Sequence, residues 1–309
     1  MSNSLDRQLS TLEMVISSLV AGGIAGALAK TTIAPLDRTK INFQISNSPF
    51  SFGDAINFMI KSYKTEGISS LWRGNSATLA RIIPHGALQF TAHEQWKRVL
   101  HVDTAADPNN KQNLYNRFLA GSLAGVTSQS ITYPLDLARA RMAVTAKEDY
   151  KSLLDVFKKI YRTEGGRAFY KGYVPTILGV IPYAGMSFFT YGILKIKYKE
   201  MSDPPYHQYM NLVFGAIAGM LGQTSSYPLD IVRRRMQTSS ITKKRADSIL
   251  GVLKDIYREE GVRHGFFKGL SMNWIKGPIA VGISFATYDF INESLGKLFI
   301  VSSQPSQSS

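Results

Sequence analysis

The chain has no cysteine. That excludes a disulfide scaffold, a cysteine-ligated zinc site and a thiol nucleophile. Acidic residues are scarce beside basic ones: 22 Asp and Glu against 36 Lys and Arg, for a formal charge of +14 over 309 residues. Histidine is rare, with five copies. No nucleophile–base pair, metal-ligand cluster or P-loop is spaced for chemistry, so neither an enzyme nor a resident cofactor or metal is expected. The first ten residues lack both an apolar run behind a basic head and an Arg-rich amphipathic pattern, so neither a secretory signal nor a presequence is expected there. Unbroken greasy segments are also few, and mean hydropathy is near zero. This argues against a bundle of wholly apolar spans but leaves room for a polar-lined membrane protein. The excess positive charge suits either nucleic acid or anionic lipid and anionic solutes.

Internal repetition separates these readings. The triplet Pro-Leu-Asp occurs at Pro35-Leu36-Asp37, Pro134-Leu135-Asp136 and Pro228-Leu229-Asp230. A cation follows each Asp by three positions: Lys40, Arg139 and Arg233. Glycines precede each Pro by nine (Gly26, Gly125, Gly219) and by thirteen positions (Gly22, Gly121, Gly215). Downstream come Glu66-Gly67, Glu164-Gly165 and Glu260-Gly261, then Trp72-Arg73-Gly74, Tyr170-Lys171-Gly172 and Phe267-Lys268-Gly269. A pattern held in register three times means three copies of one unit. The copies are placed at 12–100, 113–199 and 208–298, with tails at 1–11 and 299–309, the latter Ser/Gln-rich and expected to be disordered.

Each copy reads as apolar segment, short amphipathic segment, apolar segment. The first apolar segments run near 12–37, 115–136 and 209–230, and their Gly-x-x-x-Gly spacing suits close helix approach in lipid. The second run near 75–97, 173–195 and 270–292. Six spans put both termini on one side of the membrane. Between them, Ile56, Met59 and Tyr63, then Leu154, Phe157 and Tyr161, then Leu250, Leu253 and Tyr257 repeat at helical spacing among cations, as in a helix at a lipid–water interface. The connectors 100–113, 199–207 and 238–247 read as loops. The expected architecture is therefore all-α: six transmembrane helices and three short amphipathic ones.

An unpaired charge inside a span costs several kcal/mol, at least about 2.5. Three Asp, each with a cation one turn on and a helix-bending Pro beside it, suggest a ring in which the Asp of one copy meets the cation of the next. Such a ring closes one mouth of a polar cavity until something in the cavity offsets its loss.

The motifs PLDRTK, PLDLAR and PLDIVR, with the Glu-Gly and aromatic–cation–Gly elements, resemble those of the mitochondrial carrier family over residues 12–297. The resemblance implies a threefold pseudosymmetric bundle in the inner mitochondrial membrane that exchanges solutes by alternating access as a monomer. It implies matrix-side pairs Asp37–Arg139, Asp136–Arg233 and Asp230–Lys40. Gln44 and Gln237 fit the family's glutamine braces, and Ala143 does not. On the opposite side it implies a gate of Glu94 with Lys195 and Asp289 with Lys97, weaker because Gly192 and Asn292 complete no third pair. Its substrate contact points fall on Arg81, Gly179 with Val180, and Lys276. Two cations and a small residue suit a polyanion with a planar ring. Lys30 and Arg234 are further phosphate candidates, with Tyr183 as a ring wall. His85 and Asn273 are weaker candidates, and Arg235 is assigned to the matrix rim. Trp72, Arg73, Gly74, Tyr170, Lys171, Gly172, Phe267, Lys268 and Gly269 are similar to the family's cardiolipin sites. The strings RGNSAT, FTAHE, LGVIPYAGMSFFTY and GLSMNWIKGPIAVGISF are similar to the family's coenzyme A-transporting members, which implies coenzyme A exchanged for adenine nucleotides or adenosine 3′,5′-diphosphate. Spacing alone does not separate coenzyme A from dephospho-coenzyme A, ADP or ATP. A soluble basic repeat protein that binds RNA is the remaining alternative; membrane exchange predicts no nucleic-acid partner.

Overall fold

In the computed structural model, residues 11–102, 111–201 and 209–302 are described, apart from 245 and 247. The expected tails at 1–10 and 303–309, and most of the connectors 100–113 and 199–207, lie outside the described residues. Six long helices alternate with three short ones: α1 (Thr11–Ile45), α2 (Phe52–Glu66), α3 (Asn75–Val99), α4 (Lys111–Val144), α5 (Leu153–Glu164), α6 (Tyr173–Met201), α7 (Tyr209–Thr242), α8 (Ile249–Gly261) and α9 (Leu270–Ser302). No strand occurs among the described residues.

The short helices begin where the sequence supplies caps. The Ser51, Ser152 and Ser248 hydroxyls accept bonds from the first-turn amides of α2, α5 and α8. They end at Gly67, Gly165 and Gly261, each at positive φ. A tight turn follows, a 3₁₀ turn in the first two copies and a π turn at Val262–Phe266 in the third.

The long helices outrun the apolar segments. α1, α4 and α7 continue past Pro35, Pro134 and Pro228 to Ile45, Val144 and Thr242. Residues 238–242, read as loop from their polarity, are helical, and Thr238 is completely buried. Polarity misleads there because the polar side chains face other protein rather than water. α9 likewise continues into the stretch read as tail, to Ser302.

Two units are distinguished: residues 34–274, and the residues up to Ile33 together with those from Ile275. In the larger unit α3 packs along α4 and α6 along α7. Two equivalent cores hold down two of the short helices, α5 and α8. Val156 and Ile160 of α5 pack with Leu137, Ala138 and Met142 of α4; Val252 and Ile256 of α8 pack with Tyr227, Ile231 and Val232 of α7. The second apolar stripe of each short helix stays outside: Ile56 and Tyr63, Leu154 and Tyr161, and Leu250 and Tyr257 are exposed. A helix with one apolar face on protein and another uncovered suits an interface.

Elsewhere the usual inside–outside rule is inverted. Ile83, Phe90, Leu212 and Phe290 are about seventy per cent exposed, while Asp136, Arg141, Gln237 and Thr238 are buried. Exposed apolar area on this scale requires a nonaqueous neighbour. Among the described helices, α6 with the turn before it (Gly166–Met201) alone combines span length with sustained apolar composition, at mean hydropathy 1.5.

The Gly-x-x-x-Gly reading needs correction. A Cβ at Gly22, Gly121, Gly125, Gly215 or Gly219 would meet nothing within 4 Å. Close approach occurs at other glycines. A Cβ at Gly222 of α7 would stand 1.9 Å from Ser187 Oγ and 2.8 Å from the Tyr183 carbonyl of α6.

Candidate functional site

The Pro-Leu-Asp stretches of α1, α4 and α7 carry their acids and cations into one buried network within residues 34–274. Asp37 pairs with Arg139, Asp136 with Arg233, and Asp230 with Lys40 at 2.8 Å. Each carboxylate thus meets a cation of another copy. Burial makes these links consequential, because a carboxylate whose partner is removed in such a place is left uncompensated.

Two of the three links are reinforced by the same device. Gln44 Nε2 donates to the Asp230 carboxylate (3.1 Å) and to the Tyr227 hydroxyl oxygen (3.3 Å). Gln237 Nε2 donates to Asp136 and to Tyr133, both at 3.0 Å. The tyrosines pass the connection on. Tyr227 donates to the Lys268 carbonyl (2.7 Å) and Tyr133 to the Lys171 carbonyl (2.8 Å), at the starts of α9 and α6. Sequence reasoning missed both tyrosines. A signal existed: Tyr stands immediately before the Pro in copies two and three, whereas copy one has Ala34, and the brace position facing its Asp is Ala143. The Asp37–Arg139 link therefore has neither reinforcement.

A second cyclic set of bonds lies at the C-termini of the same helices. Arg235 and Lys268 donate to the Gln44 and Ser46 carbonyls at the end of α1 (3.2 and 2.7 Å). Arg38 donates to the Ala143 carbonyl (3.2 Å), and Arg73 to those of Met142 and Ala146 at the end of α4 (3.3 and 2.7 Å). Arg141 donates to the Gln237 carbonyl (3.1 Å) and Lys171 to Ser240 Oγ near the end of α7 (3.0 Å). α1, α4 and α7 are thus each capped by cations of another copy, where unpaired carbonyls and the negative end of the helix dipole attract them. The glutamates of the Glu-Gly elements hold the capping cations: Glu164 takes Arg141 and Lys171, Glu260 takes Arg235 and Lys268, and Glu66 lies 3.6 Å from Arg38. Burial alone would raise the Glu164 carboxyl. Hydrogen bonds from Arg141, Lys171 and Ser240 outweigh it and bring the group down to about 2.

These contacts revise the reading of Arg73, Lys171 and Lys268 as lipid-facing cations: their charged ends bond protein. Trp72, Tyr170 and Phe267 precede them; Tyr170 stacks on Tyr133, and Phe267 packs against the α7–α8 core. Gly74, Gly172 and Gly269 have φ of +85°, +80° and +76°. A Cβ at Gly74 would stand 2.8 Å from the Arg139 carbonyl, and at Gly172 2.9 Å from that of Arg233. Glycine lets the starts of α3 and α6 touch α4 and α7 beside Arg139 and Arg233, whereas a Cβ at Gly269 would stand 3.4 Å from the Tyr227 hydroxyl and 3.6 Å from Lys40 Cγ.

Arg81 of α3 reaches the same network. It donates to Gln129 Oε1 (2.6 Å) and Thr132 Oγ1 (3.4 Å), and its Nη1 lies 3.4 Å from Asp136 Oδ1. His85, one turn on, meets Thr132 at 3.1 Å. Arg234 is buried, donates to Gln237 Oε1 (2.9 Å) and lies 3.9 Å from Asp136. One carboxylate therefore faces three guanidinium groups, the arrangement of a site with positive charge to spare. Sequence reasoning missed Gln129 and Thr132, which lie in the uncharged polar run Thr127-Ser128-Gln129-Ser130-Ile131-Thr132, where nothing local marks one polar residue from the next. Gly179 lies against Leu229 of α7, with Val180 and Tyr183 half-exposed beside it. Asn273 is buried with its Oδ1 unbonded. Lys30 of α1 and Lys276 of α9 belong to the other unit. So does Asp289, on α9. Glu94 bonds Lys97 of its own helix at 2.7 Å rather than reaching Lys195 of α6, because the two sit one turn apart on an exposed face.

Known proteins match this chain along nearly its whole length. Residues 13–104, 110–202 and 205–298 each match the mitochondrial carrier protein family. The mitochondrial coenzyme A transporter of Mus musculus is 54% identical over 290 residues, covering 92% of this chain and 89% of that one. Its namesake in Danio rerio is 53% identical over 289 residues (92% and 88%). Solute carrier family 25 member 16 of Bos taurus is 38% identical over 296 residues (90% and 88%). Three consecutive copies, six long helices and the paired Pro-Leu-Asp network agree with these matches: the chain belongs to the mitochondrial carrier family, a transporter with that family's six-helix membrane fold.

Proposed function

We propose that this chain carries coenzyme A across the inner mitochondrial membrane in exchange for adenine nucleotides or adenosine 3′,5′-diphosphate. The Asp–cation network is the matrix gate, and both termini lie on the intermembrane-space side. The observation that carries the mechanism is the contact of Arg81 with Asp136. Arg81 is at once a cargo-binding cation and a partner of a gate carboxylate.

A phosphate of the cargo competes with Asp136 for Arg81. It offers more negative charge and more acceptor oxygens. As Arg81 turns to the cargo, Asp136 keeps Arg233 and Gln237 but loses a counter-charge. Arg234 draws a second phosphate the same way, and Lys276 and Lys30 take the others. The adenine stands by Gly179 with Val180 and Tyr183 as walls. The cargo opens the gate only by the difference between its affinities for the two states, so an anion too small to reach Arg81 and the adenine wall together opens it poorly. Opening starts at Asp37–Arg139, the link without Gln or Tyr. On the opposite side Glu94, Lys97, Lys195 and Asp289 close a weaker gate, for which Glu94 must leave Lys97. Cardiolipin is held by the backbone amides at the starts of α3, α6 and α9, since the cation side chains there are engaged. The transporter works as a monomer.

The test is counter-exchange by reconstituted protein with labelled coenzyme A, dephospho-coenzyme A, ADP and ATP, repeated with Arg81→Ala and Lys276→Ala. Coenzyme A uptake against internal adenine nucleotide, lost in both variants while the protein stays folded, supports the reading. Exchange of ADP for ATP without coenzyme A uptake refutes the cargo assignment. Full activity in either variant removes that residue from the site.

A further inference from the structure

We propose that the outer groove between α3 and α4 is a binding site for an anionic phospholipid, at the end of these helices opposite the Pro-Leu-Asp network. The groove has a volume of about 350 Å³ and an almost wholly apolar lining of Leu88, Ala92, Trp96 and Val99, with Thr91, Gln95 and Thr127 at its edge. The α3 members recur at i, i+4, i+8 and i+11, so one continuous helix face forms the wall. It is built rather than incidental. Trp96 Nε1 donates to Thr127 Oγ1 across the two helices (3.1 Å), and Thr127 donates in turn to the Leu123 carbonyl (2.8 Å). That fixes the indole as the groove's floor. Asn116 Nδ2 bonds the Leu100 carbonyl (3.0 Å) and ties the end of α3 to the first turns of α4.

The occupant follows from charge and apolarity together. An apolar slot on the outer face of a membrane helix pair takes an acyl chain. The helix ends next to this one are net basic: α3 ends in Lys97-Arg98, of which Lys97 bonds Glu94, and Arg117 follows the Asn116 tie on α4. Arg98 and Arg117 are exposed. Basic pockets between transmembrane helices recognise anionic headgroups, and a Trp at this level is the usual interfacial anchor. A zwitterionic lipid would fill the slot without the net negative charge that these basic helix ends favour. The site is separate from the starts of α3, α6 and α9.

The experiment uses quenching of Trp96 by brominated acyl chains. The full chain and a Trp96→Phe variant are reconstituted in phosphatidylcholine vesicles containing brominated phosphatidylglycerol or, at equal mole fraction, brominated phosphatidylcholine. The difference between chain and variant isolates Trp96. Phosphatidylglycerol is expected to quench it at least about twofold more strongly, and the preference to fall as salt rises and screens the cations. Arg98→Gln with Arg117→Gln is expected to abolish the preference while coenzyme A exchange continues. Equal quenching by the two lipids, no Trp96-specific quenching, or a preference that survives both high salt and the double substitution overturns the proposal. Should the double variant fold poorly, the salt series on the unsubstituted chain decides alone.

Discussion

Replacing Gln237 by Ala tests the gate most directly. The side chain donates to the Asp136 carboxylate and the Tyr133 hydroxyl at 3.0 Å each, and it is completely buried. A hydrogen bond to a charged group contributes about 1.5–3 kcal/mol and a neutral one about 0.5–1.5. Both exist only while the gate is shut, so their loss acts on the equilibrium between shut and open rather than on both states alike. Together they amount to about 2–4 kcal/mol, less whatever water restores in the vacated space. Even the lower figure shifts the shut-to-open ratio by about thirtyfold. The absence of cysteine makes the shift measurable. Ser128 of α4 precedes Pro134 by six residues and is fully buried, so Ser128→Cys supplies one thiol shielded while the gate holds. A membrane-impermeant maleimide confined to the matrix-equivalent side of proteoliposomes reports how often the gate opens. Labelling should accelerate at least about tenfold in Gln237→Ala, and comparably in Gln44→Ala, which removes the matching pair of bonds. A change below about twofold in both variants, with helicity intact, would refute the reasoning that these glutamines hold the gate shut.

Other outcomes follow from the same geometry. Gly74→Ala and Gly172→Ala should each destabilise the protein by about 1–3 kcal/mol in thermal unfolding, because a Cβ at positive φ would press on a gate-helix carbonyl; Gly121→Ala, facing open space, should change stability by less than about 0.5 kcal/mol. The Glu164 carboxyl is brought from the usual 4.5 down to about 2 by its bonds to Arg141, Lys171 and Ser240. Its contribution is therefore complete above pH 4.5 and lost as pH falls toward 2. Glu164→Gln should flatten that part of the stability–pH curve, and an unchanged acid limb would remove Glu164 from the account. Asp37→Asn, which breaks the link that has neither the Gln nor the Tyr brace, should accelerate the same thiol labelling less than Asp136→Asn, whose carboxylate three cations share; the reverse order would contradict the asymmetry.

The sequence alone determined the threefold repeat, the six long helices and the pairing of Asp37, Asp136 and Asp230 with cations of another copy. Those features depend on residue type at fixed spacing: Pro and Asp a set distance before a cation, long segments with little charge, and Gly at the positive-φ turns that follow each short helix and precede the next long one. Helix ends were less legible. Polar residues at 238–242 look like loop until their burial against neighbouring helices is known, and polarity by itself does not say whether a side chain faces water or protein. The Gly-x-x-x-Gly spacing likewise marks small residues without saying which side of the helix a partner occupies. Only the tertiary structure decided what each cation is for. Arg73, Lys171 and Lys268 share one motif position and look alike as lipid ligands, yet their charges end on the C-termini of α4, α7 and α1 and, for the two lysines, on glutamates of the Glu-Gly elements. Tyr133, Tyr227, Gln129 and Thr132 gained roles because residues from different repeats converge on them. Pairwise contacts between distant segments arise from packing in three dimensions, which local residue pattern does not encode.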